Sequence, residues 1–294
     1  MRGFGGLFAG VLLAVLVFGS AGASARPAGL QHMTLIGDSV ADALALDSQA
    51  VRIVSQGVTA DLEVAPCRRL EGMGCPVNGV RPPSAVQLIQ SLGSKIGPNV
   101  VMATGYNDYE DQFPGDIADA LAALKAAGVE HVFWLTLRAA HHPYITMNAD
   151  IESAASENPM VTVVDWNLYS RSHPEWFQSD GVHLVHAGSV AMATLIHTAL
   201  AAGGITSPPV RIATTSIPVA KRGHAYRARL VARSGTAPYR WSLLERAPAG
   251  IHLRANGVVD GSPKAKPGRY TFNVEVHDAA GYLAERRLTL RVAA

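Results

Sequence analysis

Three short polar motifs contain the residue types that nucleophilic acyl chemistry requires. They are Gly37-Asp38-Ser39, Gly105-Tyr106-Asn107-Asp108 and Asp180-Gly181-Val182-His183. A serine hydroxyl becomes a good nucleophile only when a base accepts its proton, and histidine suits that task near neutral pH. Asp180 lies three residues before His183, so its carboxylate can reach the imidazole Nδ1–H and fix the tautomer. We therefore predict Ser39 as nucleophile, His183 as base and Asp180 as the group that orients the base.

Each motif by itself also has an ordinary structural explanation. Ser39 with Asp42 resembles a helix-capping pair, a Gly/Asn loop accounts for the second motif, and Asp180-Gly181 is a turn signal. The order of the three motifs after predicted strands favours the catalytic interpretation, because the carboxyl ends of parallel strands meet at one crevice.

The elements that would position these motifs alternate along residues 33–202. Short apolar segments predict strands at His32–Ile36, Asp61–Val64, Val100–Thr104, Val132–Leu137 and Val161–Asp165. Amphipathic segments predict helices at Val40–Leu46, Ser84–Leu92, Asp116–Ala127, Asn148–Ala155 and Ala187–Ala202. This alternation predicts a three-layer α/β/α sandwich with a parallel sheet.

With these motifs in this order, the region from Met33 to Ala202 resembles the SGNH (GDSL) hydrolases. Ser39 matches the nucleophile of the family's GDS block, and Asn107 matches the oxyanion-hole asparagine of its GxND block. Asp180 and His183 match its DxxH block. The resemblance implies a serine hydrolase that works without a cofactor.

The oxyanion formed by attack on an ester needs N–H donors already in place. The Asn107 side chain and the Ser39 backbone amide can supply two. The family's third donor is usually a backbone glycine after strand two, for which Gly57 is the candidate by residue type. The alternative is the backbone amide of Arg68, in the loop that follows the predicted strand Asp61–Val64. The sequence leaves the choice open.

Several further residues are candidates for contacting substrate. Arg138, His141 and His142 follow the fourth predicted strand, and Arg68 lies in the loop after the second. A solvated loop is an equally good explanation for them. The sequence contains no motif with metal-ligand spacing, so we expect no metal.

The first residues predict an exported protein. Arg2 precedes an apolar run ending near Phe18, and Ala23-Ser24-Ala25 fits a cleavage site, so residues 1–25 read as a signal peptide. The run is short for a spanning anchor, which predicts a secreted or cell-envelope protein without a membrane segment after cleavage. In an oxidising compartment, Cys67 and Cys75 are expected to form a disulfide.

A second domain is predicted after a Gly/Pro-rich linker over residues 203–209. Segments of period-two alternation between Gly/Pro turns predict a small antiparallel β-sandwich over residues 210–294. The segments around Trp241, Asn256-Gly257 and Asp278 resemble the Ig-like modules of exported bacterial proteins. That resemblance brings no catalytic residues and implies a spacer or binding module.

The net charge of +2 conceals two opposite halves. Residues 26–209 hold nine Lys and Arg against 18 Asp and Glu, whereas residues 210–294 hold 15 against five. Near-neutrality overall argues against a nucleic-acid binder held by bulk charge, and two cysteines exclude a Cys-rich zinc scaffold. The basic half predicts a docking site, either for an anionic cell-wall polymer or for the acidic face of the first domain, and a solubilising surface is an equally good explanation.

The sequence thus predicts an exported serine esterase that cleaves carboxylic esters, such as short acyl or acetyl esters, through an acyl-enzyme. The alternative is an O-acyltransferase acting on cell-envelope carbohydrate, because Asp165-Trp166-Asn167 and Pro174-Glu175-Trp176-Phe177 are similar to SGNH domains of bacterial O-acyltransferases. A non-catalytic cell-wall-binding protein is the second alternative.

Overall fold

The computed structural model describes residues 29–294, and its first part is built around a parallel sheet in the order β2-β1-β3-β4-β5. The strands are β1 (Gln31–Gly37), β2 (Val58–Val64), β3 (Asn99–Ala103), β4 (His131–Leu135) and β5 (Val161–Val164). The sequence order reverses between β1 and β3, which opens a crevice at their carboxyl ends. The predicted signal peptide, residues 1–25, lies outside the described residues.

Helices cover both faces of this sheet and complete an α/β domain (β1 to α7). They are α1 (Ser39–Ala45), α2 (Ser48–Val54), α3 (Ala85–Leu92), α4 (Phe113–Ala126), α5 (His142–Glu157), α6 (Trp166–Ser170) and α7 (His186–Ala202). In β3, Val101 packs with α1, α2 and α7, whereas Val100 and Met102 pack with α3, α4 and α5. Alternate side chains of β3 thus pack into separate hydrophobic cores on the two faces of the sheet. The predicted three-layer sandwich is confirmed.

Some boundaries differ from the sequence-based prediction. α2 was not predicted, because seven residues rich in β-branched side chains give a weak helical signal, yet the Asp47 side chain caps its first turn. α4 and α5 begin earlier than expected, at Phe113 and His142, and each has a proline in its first turn. Proline fits there because the first amides of a helix have no intrahelical partner.

The second part is a β domain (β6 to β14) with a separate core. Its strands are β6 (Arg211–Ile212), β7 (Ala220–Lys221), β8 (Tyr226–Arg229), β9 (Ala232–Arg233), β10 (Arg240–Leu243), β11 (Ile251–Leu253), β12 (Val258–Gly261), β13 (Gly268–His277) and β14 (Leu283–Ala293). Sheets β10-β13-β14-β7 and β11-β12-β8 enclose Trp241, Phe272 and Leu290. The predicted all-β sandwich is confirmed.

The two domains meet at the amino-terminal edge of the parallel sheet. The turn between β13 and β14 offers the Ala280 carbonyl to the Gly57 N–H at 2.9 Å, and Gly57 in turn accepts the Ser207 N–H at 2.9 Å. The Tyr282 and His197 rings lie 6.0 Å apart across the same contact. The β domain therefore lies at the amino ends of the parallel strands, away from their carboxyl ends. Within residues 29–294, no helix combines the length and apolar character needed to cross a membrane.

Candidate active site

The structure brings Ser39, His183 and Asp180 into one hydrogen-bonded chain. Ser39 is the first residue of α1, directly after the carboxyl end of β1, and its Oγ lies 3.0 Å from His183 Nε2. His183 Nδ1 lies 2.7 Å from Asp180 Oδ2. Both distances are in hydrogen-bonding range, so the imidazole can accept the serine proton while the carboxylate stabilises the resulting charge.

Asp180 is held in place by its own turn. Its Oδ1 accepts the backbone N–H groups of Val182, at 2.8 Å, and His183, at 3.0 Å. The hydrogen bond from Val182 and the one from the His183 side chain lower the pKa of Asp180 to about 2. Asp180 is therefore ionised throughout the neutral range, as the orienting role requires.

Asp38 ties the nucleophile turn to the loop after β3. Its buried carboxylate accepts the N–H groups of Val40, at 3.0 Å, and Tyr106, at 3.2 Å. Burial raises the pKa of Asp38 to about 6, against the lowering effect of these hydrogen bonds. At Gly37, a Cβ would lie 2.3 Å from the Ala41 Cβ, so only glycine lets α1 approach the end of β1 this closely.

Asn107 lies in the loop after β3, with its amide held by the loop after β2. Its Nδ2 donates to the Arg68 carbonyl at 3.1 Å, which occupies one of the two N–H groups of that nitrogen. The neighbouring Asp108 carboxylate accepts the Leu70 N–H at 2.8 Å, and burial raises the pKa of Asp108 to about 7. Two consecutive residues of the loop after β3 thus bond to the loop after β2. The second Asn107 N–H and the Ser39 amide, which starts a helix, remain suited to an oxyanion.

The prediction of Gly57 as an oxyanion donor is wrong. Gly57 precedes β2, and the register pairs Gln31 with Val58 and Gly37 with Val64, so Gly57 lies at the opposite end of the sheet from Ser39. A seven-residue strand spans about 20 Å. The Gly57 N–H is also occupied by the Ala280 carbonyl of the β domain.

Arg68 does not fit either of the roles suggested for it. Its amide donates to the Ala65 carbonyl at 3.2 Å within a turn, so this N–H is not free for an oxyanion. Its guanidinium is buried and donates to the backbone carbonyls of Glu63, Pro83 and Gly37, which removes it from the substrate side. What Arg68 contributes is its carbonyl, which holds Asn107.

The predicted disulfide between Cys67 and Cys75 is confirmed, with the Cα atoms 5.3 Å apart. It closes the loop that carries Arg68 between the two cysteines. Cys67 has a φ of +63°, in the left-handed region that L-residues seldom adopt. The Gly74 backbone lies against Cys67 so closely that a Cβ at Gly74 would overlap the Cys67 carbonyl oxygen. The disulfide and this glycine therefore shape the loop that holds Asn107.

Comparisons with known proteins agree with this architecture. The chain is 30% identical over 118 residues to "Putative peptidoglycan O-acetyltransferase YrhL" of Bacillus subtilis (strain 168), a match covering 40% of this chain and 18% of that protein. It is 34% identical over 103 residues to "O-acetyltransferase OatA" of Staphylococcus aureus (strain NCTC 8325 / PS 47), covering 35% and 16%. A family model described as "Putative Ig domain" matches residues 208–293.

The chain joins a domain with the SGNH hydrolase-like fold, here called the SGNH-type domain, to an Ig-like domain. It spans less than a fifth of the length of these curated relatives. Among solved structures, the C-terminal catalytic domain of Streptococcus pneumoniae OatA superposes with a TM-score of 0.47 at 21% identity, covering 60% of this chain and 96% of that one.

The remaining candidates for substrate contact lie at the carboxyl end of β4 in the SGNH-type domain. The Arg138 guanidinium stacks on the Phe177 ring at 3.7 Å, and its amide donates to the Tyr106 hydroxyl at 2.7 Å. His141 packs edge-on against Tyr144 at 5.9 Å, and the exposed His142 begins α5. This loop borders the loops that carry Tyr106 and Gly181. The role of Arg138, His141 and His142 in substrate binding stays a prediction.

A cluster of rings in the SGNH-type domain lies beside His183 and was not predicted as part of the site. The His173 and Trp176 rings stack at 3.8 Å, and Trp176 stacks on Trp166 at 6.0 Å. The chain leads directly from these rings into the catalytic turn, where the Gln178 N–H donates to the His183 carbonyl at 2.7 Å. The sequence signal was present in the Asp165-Trp166-Asn167 and Pro174–Phe177 segments.

Within residues 29–294, no group of three or more His, Cys, Asp or Glu side chains is arranged to hold a metal ion. A second histidine near the site, His186, instead contacts the Asp47 carboxylate at 2.5 Å. This contact ties the start of α7, three residues after His183, to the first turn of α2.

Proposed function

We propose that the SGNH-type domain transfers an acyl group through Ser39, taking it from a donor ester and passing it to a hydroxyl of cell-envelope carbohydrate. The observation that carries the proposal is the continuous chain from Asp180 through His183 to Ser39. The esterase prediction and this alternative share the same first half-reaction. The names of the 30–34% identical relatives, which are O-acetyltransferases, favour transfer over plain hydrolysis and an acetyl group as the cargo.

In the first half-reaction, Ser39 Oγ attacks the ester carbonyl carbon while His183 Nε2 takes the serine proton. The carbonyl oxygen becomes an oxyanion, to which the Ser39 amide and the Asn107 side chain donate. The intermediate then collapses: the bond to the leaving alcohol breaks, and the imidazolium returns its proton to that oxygen. The products are the free alcohol and an acyl-enzyme on Ser39.

In the second half-reaction, an acceptor hydroxyl attacks the acyl-enzyme and His183 takes its proton. Collapse releases the acylated acceptor and restores the Ser39 hydroxyl with the proton held by His183. Water in place of the acceptor gives hydrolysis. The His183 side chain is 42% exposed and that of Asp180 is 47% exposed, an open site that suits a bulky polymeric acceptor.

A fluorophosphonate probe followed by intact-mass measurement tests the nucleophile. We expect a single covalent adduct on the wild-type protein and none on Ser39→Ala. Ser48→Ala is the matched control, because Ser48 is exposed and, like Ser39, is the first residue of a helix capped by an aspartate; this variant should react like the wild type. An adduct on Ser39→Ala, or none on the wild type, would refute the assignment of Ser39.

The choice of acceptor is tested with p-nitrophenyl acetate in the presence and absence of oligomers of N-acetylglucosamine. Transfer predicts acetylated oligosaccharide by mass spectrometry and faster release of nitrophenol when deacylation limits the rate. Release that is indifferent to the oligomer, with no acetylated product, would return plain hydrolysis as the main function. Export to the cell envelope is part of the same proposal, resting on the predicted signal peptide.

A further inference from the structure

Three segments of the Ig-like domain that are distant in sequence converge at one end of the sandwich. Here β14 pairs with both β13 and β7. The Arg222 N–H donates to the Ala293 carbonyl at 3.0 Å, and the Gly223 N–H donates to the Pro263 carbonyl at 3.0 Å. These bonds hold residues 219–225, 262–270 and 289–294 against one another.

These segments carry six exposed cations, which we call the cationic tip: Lys221, Arg222, Lys264, Lys266, Arg269 and Arg291. The three segments contain no Asp or Glu. In the part of the chain that the structure describes, none of the six side chains forms an ion pair. The Ig-like domain thus concentrates positive charge here without compensation.

The pairing of β13 with β14 places two of these cations face to face. Arg269 is directly opposite Arg291 in the antiparallel register, and both are exposed. Side chains opposite each other in such a ladder lie about 5 Å apart, and like charges there destabilise the sheet. A bound anion between the two guanidinium groups would relieve this repulsion.

The tip lies at the far end of the Ig-like domain from the SGNH-type domain. The β13–β14 turn makes the interdomain contact at Gly57, and Arg269 lies eight positions along β13 from His277, which is beside that turn. At the rise of an antiparallel strand, that distance is about 27 Å. The tip is therefore clear of the SGNH-type domain and remote from Ser39.

We propose that the cationic tip binds a linear polyanion whose phosphate or carboxylate groups repeat along the chain, and so tethers the enzyme domain to an anionic surface polymer. Six point charges on an open surface fit a flexible polymer better than a single small anion, which needs an enclosed site. Val219 is the exposed large apolar side chain on these segments, too little to insert into a bilayer.

The test is binding of full-length protein to long-chain inorganic polyphosphate as the salt concentration is varied. By analogy with single-stranded nucleic acid, six contacts predict a slope of log K against log salt of about −4. In the variant Lys221→Gln/Lys264→Gln/Arg269→Gln/Arg291→Gln, we expect binding at about 0.15 M salt to weaken at least tenfold and the slope to fall to about −1.5.

The control variant removes the same number of charges from exposed arginines elsewhere on the Ig-like domain, none of which faces another arginine in a strand pair: Arg227→Gln/Arg229→Gln/Arg240→Gln/Arg246→Gln. It should retain most of the binding, and both variants should cleave p-nitrophenyl acetate at the wild-type rate. Equal losses in the two variants would mean that only bulk charge matters, which overturns the site. Binding to phosphatidylglycerol vesicles but not to polyphosphate would overturn the choice of partner. Because ester cleavage is read separately, failure here leaves the acyl-transfer proposal standing.

Discussion

Asn107 and Asp38 lie next to Ser39, and hydrogen bonds to the backbone hold both side chains in place. Asn107 donates one N–H to the Arg68 carbonyl, which orients its amide and leaves the other N–H for the oxyanion of the proposed reaction. Asp38 has no exposure and accepts N–H groups from both sides of the crevice. A preorganised donor such as the Asn107 N–H is worth more than a donor that must reorient during the reaction.

Replacement of the oxyanion donor should slow chemistry more than binding. For Asn107→Ala we expect kcat on p-nitrophenyl acetate to fall by about 10²–10³-fold with little change in KM, because the interaction strengthens in the transition state. Steady-state kinetics measure both constants, and a thermal melt establishes that the variant is folded. A change confined to KM would assign Asn107 to ground-state binding instead.

The buried carboxyl of Asp38 should make stability depend on pH. Its pKa is about 6 in the folded protein against 3.8 in a model peptide, so between these values the folded state holds more protons than the unfolded state. The free energy of unfolding therefore falls as pH rises through this window, by about 3 kcal/mol in all.

Urea unfolding of wild type and Asp38→Asn between pH 3 and pH 7 measures this effect. Asn does not titrate, so the unfolding free energy of the wild type should fall relative to that of Asp38→Asn as pH rises. Asp111→Asn, at an exposed position, should follow the wild type at each pH. A difference that is constant with pH would mean that Asp38 titrates alike in the folded and unfolded states.

At the scale of elements, the loop after β2 determines how the site is assembled. This loop combines the disulfide, a buried guanidinium that bonds to three backbone carbonyls and the carbonyl that holds Asn107. In the loop after β3, the Asp108 carboxylate accepts the Leu70 N–H from this loop. Two loops from strands on either side of β1 are thus locked together next to Ser39.

Loss of the disulfide should impair catalysis through Asn107. For Cys67→Ser/Cys75→Ser we expect a kcat reduced by about tenfold, and a stability loss of about 2–3 kcal/mol from loop closure. In the Asn107→Ala background the same pair of substitutions should change kcat little, because the group that the loop positions is already absent. Additive losses in kcat would show that the loop acts on the reaction by another route.

At the scale of the whole molecule, active site, interdomain contact and cationic tip follow one another along the protein. The crevice lies at the carboxyl ends of the parallel strands, the Ig-like domain docks at their amino ends, and the tip lies beyond it. The net charges of −9 for residues 26–209 and +10 for residues 210–294 follow the same division. A tether at the basic end would leave the acidic enzyme domain directed away from the anchoring polymer.

Substitution at the domain contact should separate stability from activity. In Gly57→Ala, the new Cβ would lie 2.6 Å from the Tyr282 hydroxyl and 2.9 Å from the Thr206 Cβ, at a φ of +77°. We expect unfolding to become easier by about 1–3 kcal/mol and kcat on p-nitrophenyl acetate to stay within about twofold. A loss of kcat comparable to that of Asn107→Ala would mean that the contact is coupled to the site.

Local sequence patterns were enough to predict the fold class of both domains, the disulfide and the motifs that approach one another in the site. Period-two and helical patterns report which faces are buried, and motifs at strand ends converge in any parallel sheet, so these features need only local information. Short α2 escaped detection because packing against α7, rather than local preference, stabilises it.

Which backbone N–H groups are free to bind an oxyanion depends on the folded chain. Gly57 and Arg68 were both reasonable oxyanion donors by residue type, yet one amide is bonded to the Ig-like domain and the other to its own turn. The convergence of six cations at one tip likewise depends on strand pairing between segments up to about 70 residues apart. Hydrogen-bond partners and charge neighbours across such distances are set by register and domain docking, which no local pattern encodes.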